Sequence, residues 1–187
     1  MQTELLMAGF GGQGILFLGD LVARTAMAQG MHVTYMPTYG VAMRGGTANC
    51  VVIMSDEPIG SPVMNEPDVA LILNQQSFDK FQPVIKKGGM IVANSAMVSP
   101  DTFTRNNDLK LVMTSATDIS REVTGREQST NMAALGAWLA TDDTLSIETV
   151  EETLRANLHP SKHALLEPNI ETIRAGMAAV TSAATTA

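Results

Sequence analysis

Apolar residues along the chain fall into two alternating patterns, short continuous runs and longer stretches with helical spacing. Residues 4–8 are a short apolar run ended by Gly9, and residues 15–29 then carry Ile15, Leu18, Val22 and Ala26 on one face, which predicts strand, glycine turn, helix. A second strand is expected over 32–36 after the Gln29-Gly30 stop, and 37–46 reads as a loop containing Pro37, Gly40, Gly45 and Gly46, long for a simple connection. Residues 47–54 are rich in Val and Ile and are closed by Asp56-Glu57-Pro58, turn chemistry after a strand. Two further apolar runs, 69–73 and 90–93, flank a segment that looks helical from Gln75 to Pro83 and ends at Gly88-Gly89, the spacing of a βαβ unit. A weaker strand over 110–114 precedes three helices: 128–140, a helix capped by Ser146 with Ile147, Val150, Leu154 and Leu158 on one face, and 164–180. The expected fold is therefore α/β, a mostly parallel sheet with helices on both faces and a helical C-terminal third. A single domain over 1–180 and a frayed tail over 181–187 complete the expectation.

Composition narrows the chemistry. The chain has 187 residues, 45% of them hydrophobic and 17% charged, enough for one globular domain that buries roughly 70% of its unfolded surface. With 12 Lys+Arg against 19 Asp+Glu the net charge is −7, which argues against a nucleic-acid partner. No stretch reaches the roughly 18 apolar residues that a spanning helix needs, and the first residues have no basic region, so they do not read as a signal peptide. A cytoplasmic protein with no membrane partner is the expectation. The single cysteine, Cys50, can make neither an internal disulfide nor the thiolate set of an iron–sulfur cluster. Thirteen methionines stand beside five Phe, two Tyr and one Trp, a bias toward adaptable side chains over rigid rings.

The strongest local motif is Gly9-Phe10-Gly11-Gly12-Gln13-Gly14, which satisfies G-x-G-x-x-G between a strand and a helix. Glycines there permit a close backbone approach, and helix N–H groups aim at whatever docks. A complete dinucleotide site also needs an acidic residue at the end of the second strand, where this chain has Tyr35-Met36-Pro37-Thr38. The motif alone is equally consistent with a turn that lets the first helix pack on the sheet, and the missing acid weighs against a nicotinamide dinucleotide. A second motif, Arg44-Gly45-Gly46-Thr47, can project a bidentate guanidinium from a freely bending backbone, or can be a solvated surface loop.

Taken together, the two motifs resemble the gamma subunit of 2-oxoacid:ferredoxin oxidoreductases. The resemblance extends through residues 9–15, 39–50, 55–62, Pro67-Asp68 with Asn74-Gln75, Lys87-Gly88-Gly89, 131–137 and 169–176. The form Arg44-Gly45-Gly46-Thr47-Ala48-Asn49 is closer to the 2-oxoglutarate type than to the pyruvate type. One departure is Ala42, where the family commonly carries an acid two places before the arginine. The resemblance implies a Rossmann-like fold and a complex that oxidatively decarboxylates a 2-oxoacid to acyl-CoA while reducing ferredoxin. It puts thiamine diphosphate, Mg and iron–sulfur clusters on alpha, beta and ferredoxin-like delta-type partners, with coenzyme A as cosubstrate and no cofactor on this chain alone. Gly11, Gly12, Gln13, Gly14, Arg44, Gly45, Gly46, Thr47 and Asn131 are then expected near the substrate and coenzyme A crevice, with Asn74 and Gln75 as secondary candidates and no catalytic or metal-ligating residue. A free-standing dinucleotide-binding protein and a purely structural scaffold are the alternatives.

Other polar residues have simpler readings. Cys50 is expected to be a small core residue, and His159 and His163, on either side of Pro160, to be surface or capping residues. Ser77, Ser95 and Ser115 fit helix caps or loops, and Lys86-Lys87 fits cations at a helix C-terminus.

Overall fold

The computed structural model describes residues 1–39, 47–104 and 108–185. Its strands are β1 (Gln2–Phe10), β2 (His32–Tyr39), β3 (Thr47–Ser55), β4 (Val69–Ile72), β5 (Met90–Asn94) and β6 (Lys110–Thr114). The helices are α1 (Ile15–Ala28), α2 (Gln75–Phe81), α3 (Ala116–Thr124), α4 (Thr130–Leu139), α5 (Ile147–Asn157) and α6 (Leu166–Thr185). All six strands form one sheet in the order β2-β3-β1-β4-β5-β6. β1, β4, β5 and β6 run parallel, whereas β3 is antiparallel to both β1 and β2. The expected mostly parallel sheet is thus present with one reversed strand. The reason is length: a parallel crossover needs about a dozen residues or more, and seven residues, 40–46, separate β2 from β3.

β1 is buried along nearly its whole length because apolar layers lie on both faces of the sheet. Leu5 and Met7 face the larger core, which includes the buried stripe Ile15, Leu18, Val22 and Ala26 of α1 together with residues of α3 to α6. Leu6 faces a smaller core with Ala70, Ile72, Phe78, Ile85 and Ile91, closed mainly by α2 and the segment after it. Helices therefore cover both faces, but very unequally. All ten residues of α4 are buried, as expected of a helix that is apolar all round and enclosed by neighbours.

Several element boundaries differ from expectation. β2 continues through Pro37 to Tyr39, because an edge strand can carry a residue without an N–H on its open side. α2 stops at Phe81, and Pro83 instead sits in a 3-10 turn, Gln82–Val84. α6 begins at Leu166 after a 3-10 segment, Pro160–Leu165, and its backbone runs helical to Thr185, into the stretch expected to be tail. α3 was not anticipated. Lys86 and Lys87 do not serve a helix end: Lys86 Nζ pairs with Asp68 at 2.6 Å and Lys87 with Asp108 at 3.8 Å. Ser77 lies inside α2, where its N–H is capped by Asn74.

Candidate functional site

The carboxyl edge of the parallel strands gathers most of the polar residues singled out in the sequence. β1 ends at Phe10, Gly11 and Gly12 turn the chain, and Gly14 occupies the N-cap of α1 in the left-handed region, φ 72°. That conformation favours glycine. Gln13 closes the turn from within. Its backbone N–H donates to the Phe10 carbonyl at 3.1 Å, and its Oε1 accepts the Phe10 N–H at 2.6 Å. Its Nε2 lies 3.8 Å from the Met97 sulfur on the loop after β5.

Asn131, in the first turn of α4, reaches the same loop from 117 residues away. Its Nδ2 donates to the Gly14 carbonyl at 3.1 Å and its Oδ1 accepts the Met132 N–H at 3.0 Å. The fit is close enough that a Cβ on Gly14 would stand 2.5 Å from Asn131 Nδ2. Thr47 starts β3 directly across from Phe10, and Ala48 pairs with Tyr39 at the end of β2. Gly11, Gly12, Gln13, Gly14, Thr47 and Asn131 are thus on one edge of the molecule. Arg44, Gly45 and Gly46, with Ala42, lie outside the described residues.

Neither N-cap residue here, Gly14 of α1 or Ser129 of α4, makes a side-chain cap bond, and neither helix has an acidic residue in its first turn. The positive ends of the α1 and α4 dipoles therefore meet no carboxylate within either first turn. A cavity of about 330 Å³ adjoins Gly14 and Asn131 on the helical side, with Phe17, Arg126, Lys162 and Asn169 in its wall. Sequence reasoning passed over Arg126 and Lys162. The available signal was weak: both follow turn formers, Gly125 and Pro160-Ser161, and nothing in their spacing joins them.

The secondary candidates divide. Asn74 caps α2, with Oδ1 accepting the Ser77 N–H at 2.8 Å; it is 1% exposed, and its Nδ2 has no partner. Gln75 is consumed by structure, bonding Asp79, Thr102 and the Ser99 N–H. Cys50 is wholly buried, its Sγ 3.4 Å from the Ile15 carbonyl, and burial pushes its thiol up to about 12. A thiol so raised is a poor nucleophile at neutral pH. His159 Nδ1 accepts the Ser161 N–H, and His163 Nε2 lies 3.0 Å from the Leu158 carbonyl. Among the described residues no three His, Cys, Asp or Glu side chains come together as a metal-binding group. No helix among them is long and apolar enough to cross a membrane. The glycine edge offers hydrogen-bond donors, helix dipoles and close backbone approach, an arrangement for binding and positioning.

The family described as pyruvate ferredoxin/flavodoxin oxidoreductase matches residues 4–179. The chain belongs to this family. Among relatives in this oxidoreductase family is the 2-oxoglutarate synthase subunit KorC of Methanocaldococcus jannaschii, 32% identical over 82% of this chain and 82% of its own length. Another is the ketoisovalerate oxidoreductase subunit VorA of Methanothermobacter marburgensis, 32% identical over 94% of this chain. The chain spans 36% of the length of that VorA subunit, about a third. In structure it is similar to the gamma subunit of a keto/oxoacid ferredoxin oxidoreductase from Geobacter sulfurreducens. The TM-score is 0.83 at 27% identity, and 98% of each chain is covered. The oxidoreductase-family match includes the glycine loop and Asn131, so the site lies inside the shared domain.

Proposed function

We propose that this chain is the gamma subunit of a multi-chain 2-oxoacid:ferredoxin oxidoreductase, with 2-oxoglutarate as the 2-oxoacid. The assembly takes 2-oxoglutarate and coenzyme A to carbon dioxide and succinyl-CoA and passes two electrons to ferredoxin. Thiamine diphosphate with Mg supplies the decarboxylating chemistry and iron–sulfur clusters the electron path, all held on alpha, beta and ferredoxin-like delta-type partners. This chain contributes one wall of the crevice. Gly11, Gly12, Gln13 and Gly14 present backbone donors there, Asn131 holds the loop in shape, and Arg44, Gly45, Gly46 and Thr47 border the approach for an acidic ligand.

The observation that carries this reading is the family match over residues 4–179, which spans both motifs. Support for 2-oxoglutarate comes from the KorC relative and from the Arg44-Gly45-Gly46-Thr47-Ala48-Asn49 form. A branched 2-oxoacid is the second reading, favoured by the VorA relative over 94% of the chain. The dinucleotide alternative is disfavoured by topology, since a dinucleotide fold puts the second strand beside the first with an acid at its end. Here β3 lies between β2 and β1.

The test is reconstitution of the complex with and without this chain, assayed with 2-oxoglutarate and with 2-ketoisovalerate. The expected result is ferredoxin reduction only when the chain is present, with the higher kcat/KM for 2-oxoglutarate. Full activity in its absence overturns the reading. In the same assay Arg44→Ala is expected to raise the KM for coenzyme A or the 2-oxoacid; unchanged kinetics favour a scaffold.

A further inference from the structure

The cavity behind the glycine loop has features that the crevice reading does not use. Its wall is mainly apolar, with Phe17 of α1, Leu158 after α5 and Pro168 in the first turn of α6. Two cations, Arg126 and Lys162, stand in the same wall. Elsewhere in the molecule Arg24, Arg121, Arg155 and Arg174 are each paired with carboxylates. No described group forms a hydrogen bond or ion pair with the guanidinium of Arg126 or the ammonium of Lys162, both of which are exposed.

Asn169 supplies an independent indication. It is 7% exposed and lines the cavity. Its Oδ1 accepts the Ser129 hydroxyl at 2.8 Å, while its amide nitrogen donates to no described group. That nitrogen is not among the buried side-chain atoms that lack a partner, so it opens onto the cavity's solvent and is available to an acceptor there. That bond also occupies the Ser129 hydroxyl, which sits at the N-cap of α4 and so does not cap it. Two cations without a described partner, an open amide donor and the first turn of α4, whose N-cap Ser129 makes no side-chain cap bond, line one volume bounded mainly by apolar side chains. Few, convergent polar groups in a mostly apolar concavity of roughly 300 Å³ or more are the usual form of a small-molecule site.

We propose that this cavity binds a small oxyanion carried on an apolar body, either a carboxylate or a phosphate monoester. The anion faces Arg126, Lys162 and the Asn169 amide, and the body packs on Phe17, Leu158 and Pro168. Because Gly14 and Asn131 border the same space, an occupant also braces the glycine loop from behind. The site goes beyond the crevice assignment and does not depend on which 2-oxoacid the assembly takes.

Calorimetric titration of the 187-residue chain with phenyl phosphate, benzoate and the neutral benzyl alcohol, at fixed ionic strength, tests the proposal without partner chains. At least one anion is expected to bind roughly tenfold or more tightly than the alcohol, a difference of about 1.4 kcal/mol. Whichever anion binds more tightly identifies the phosphate or the carboxylate source. The double variant Arg126→Ala/Lys162→Ala alters exposed side chains, and it is expected to abolish the preference for anions while leaving the alcohol unchanged. Lys162→Glu alone should lower anion affinity further than Lys162→Ala. Equal binding of charged and neutral probes, anion binding unaffected by the double variant, or no anion binding at millimolar concentration overturns the proposal. Reconstituted activity is a separate readout, so the two readings fail independently.

Discussion

Gly14 is constrained twice, by its backbone and by its neighbour. Placing an L side chain in its left-handed conformation, φ 72°, costs roughly 1–2 kcal/mol. The added Cβ would also stand 2.5 Å from Asn131 Nδ2, forcing that amide away from the Gly14 carbonyl and losing a bond worth about 1 kcal/mol. Gly14→Ala is therefore expected to destabilise the protein by roughly 2–3 kcal/mol in urea unfolding. The two effects separate in a double-mutant cycle. With Asn131→Ala already in place only the backbone strain remains, so the pair should cost about 1 kcal/mol less than the sum of the singles. Additive costs would mean that the two residues do not touch. Cys50 gives a second residue-scale test, this time in pH. Burial raises its pKa from 9.0 to about 12, so the unfolded chain releases the thiol proton first. The resulting stability is fully present below pH 9 and is lost as pH rises toward the folded value. Between those limits the thiol should cost the fold about 1.4 kcal/mol per pH unit. Comparing alkaline denaturation of the protein with Cys50→Ala isolates that slope; equal slopes would contradict the burial argument.

At the scale of elements, the α4–α6 crossing is set by two glycines facing each other's backbones. A Cβ on Gly136 would lie 1.9 Å from the Ile173 carbonyl oxygen, and one on Gly176 would lie 2.2 Å from that of Ala133. Alanine gains up to about 1 kcal/mol of helix propensity over glycine, but overpacking costs about 1–3 kcal/mol and occasionally more, and contact with rigid backbone puts this case at the upper end. The second effect wins, so Gly136→Ala should lower the urea midpoint markedly despite its better propensity. A midpoint at or above the parent's would show that the helices can separate. This crossing illustrates how legible the elements were. The stripes of α1 and α5 announced themselves, because each needs only one apolar face. For α4 the apolar run was plain, yet its partner was not, since a close approach of two glycines leaves no periodic trace. α3 carries Ala116, Ile119 and Val123 at helical spacing, but its Thr and Ile content and nine-residue length mask it. β3 could have been read as antiparallel from the Gly-rich connection, too short for a crossover. Asn131 was legible as a helix-opening polar residue, whereas its reach to Gly14 is a tertiary fact.

Across the whole molecule, the sheet order grades the strands by how much surrounds them. β1 and β4 have strands on both sides and apolar layers on both faces, with burial unbroken over Thr3 to Ala8 in β1 and throughout β4. Among the described strands β2 pairs only with β3; it carries Met36 at 42% exposure and Pro37 along its length, and ends beside the glycine edge. Edge strands usually carry devices that discourage further pairing, and a proline is one of them. Local opening free energy should follow this grading, because core strands exchange their amides only through nearly global unfolding while edges open locally. Hydrogen exchange on the lone chain is therefore expected to protect β1 and β4 to near the global stability. In β2, amides turned away from β3 should exchange orders of magnitude faster, and those bonded to β3 should be intermediate. The contrary result, β2 protected along both edges as strongly as β1, would mean that another strand lies across it. A second copy of the chain would then supply that strand, and protection would fall on dilution.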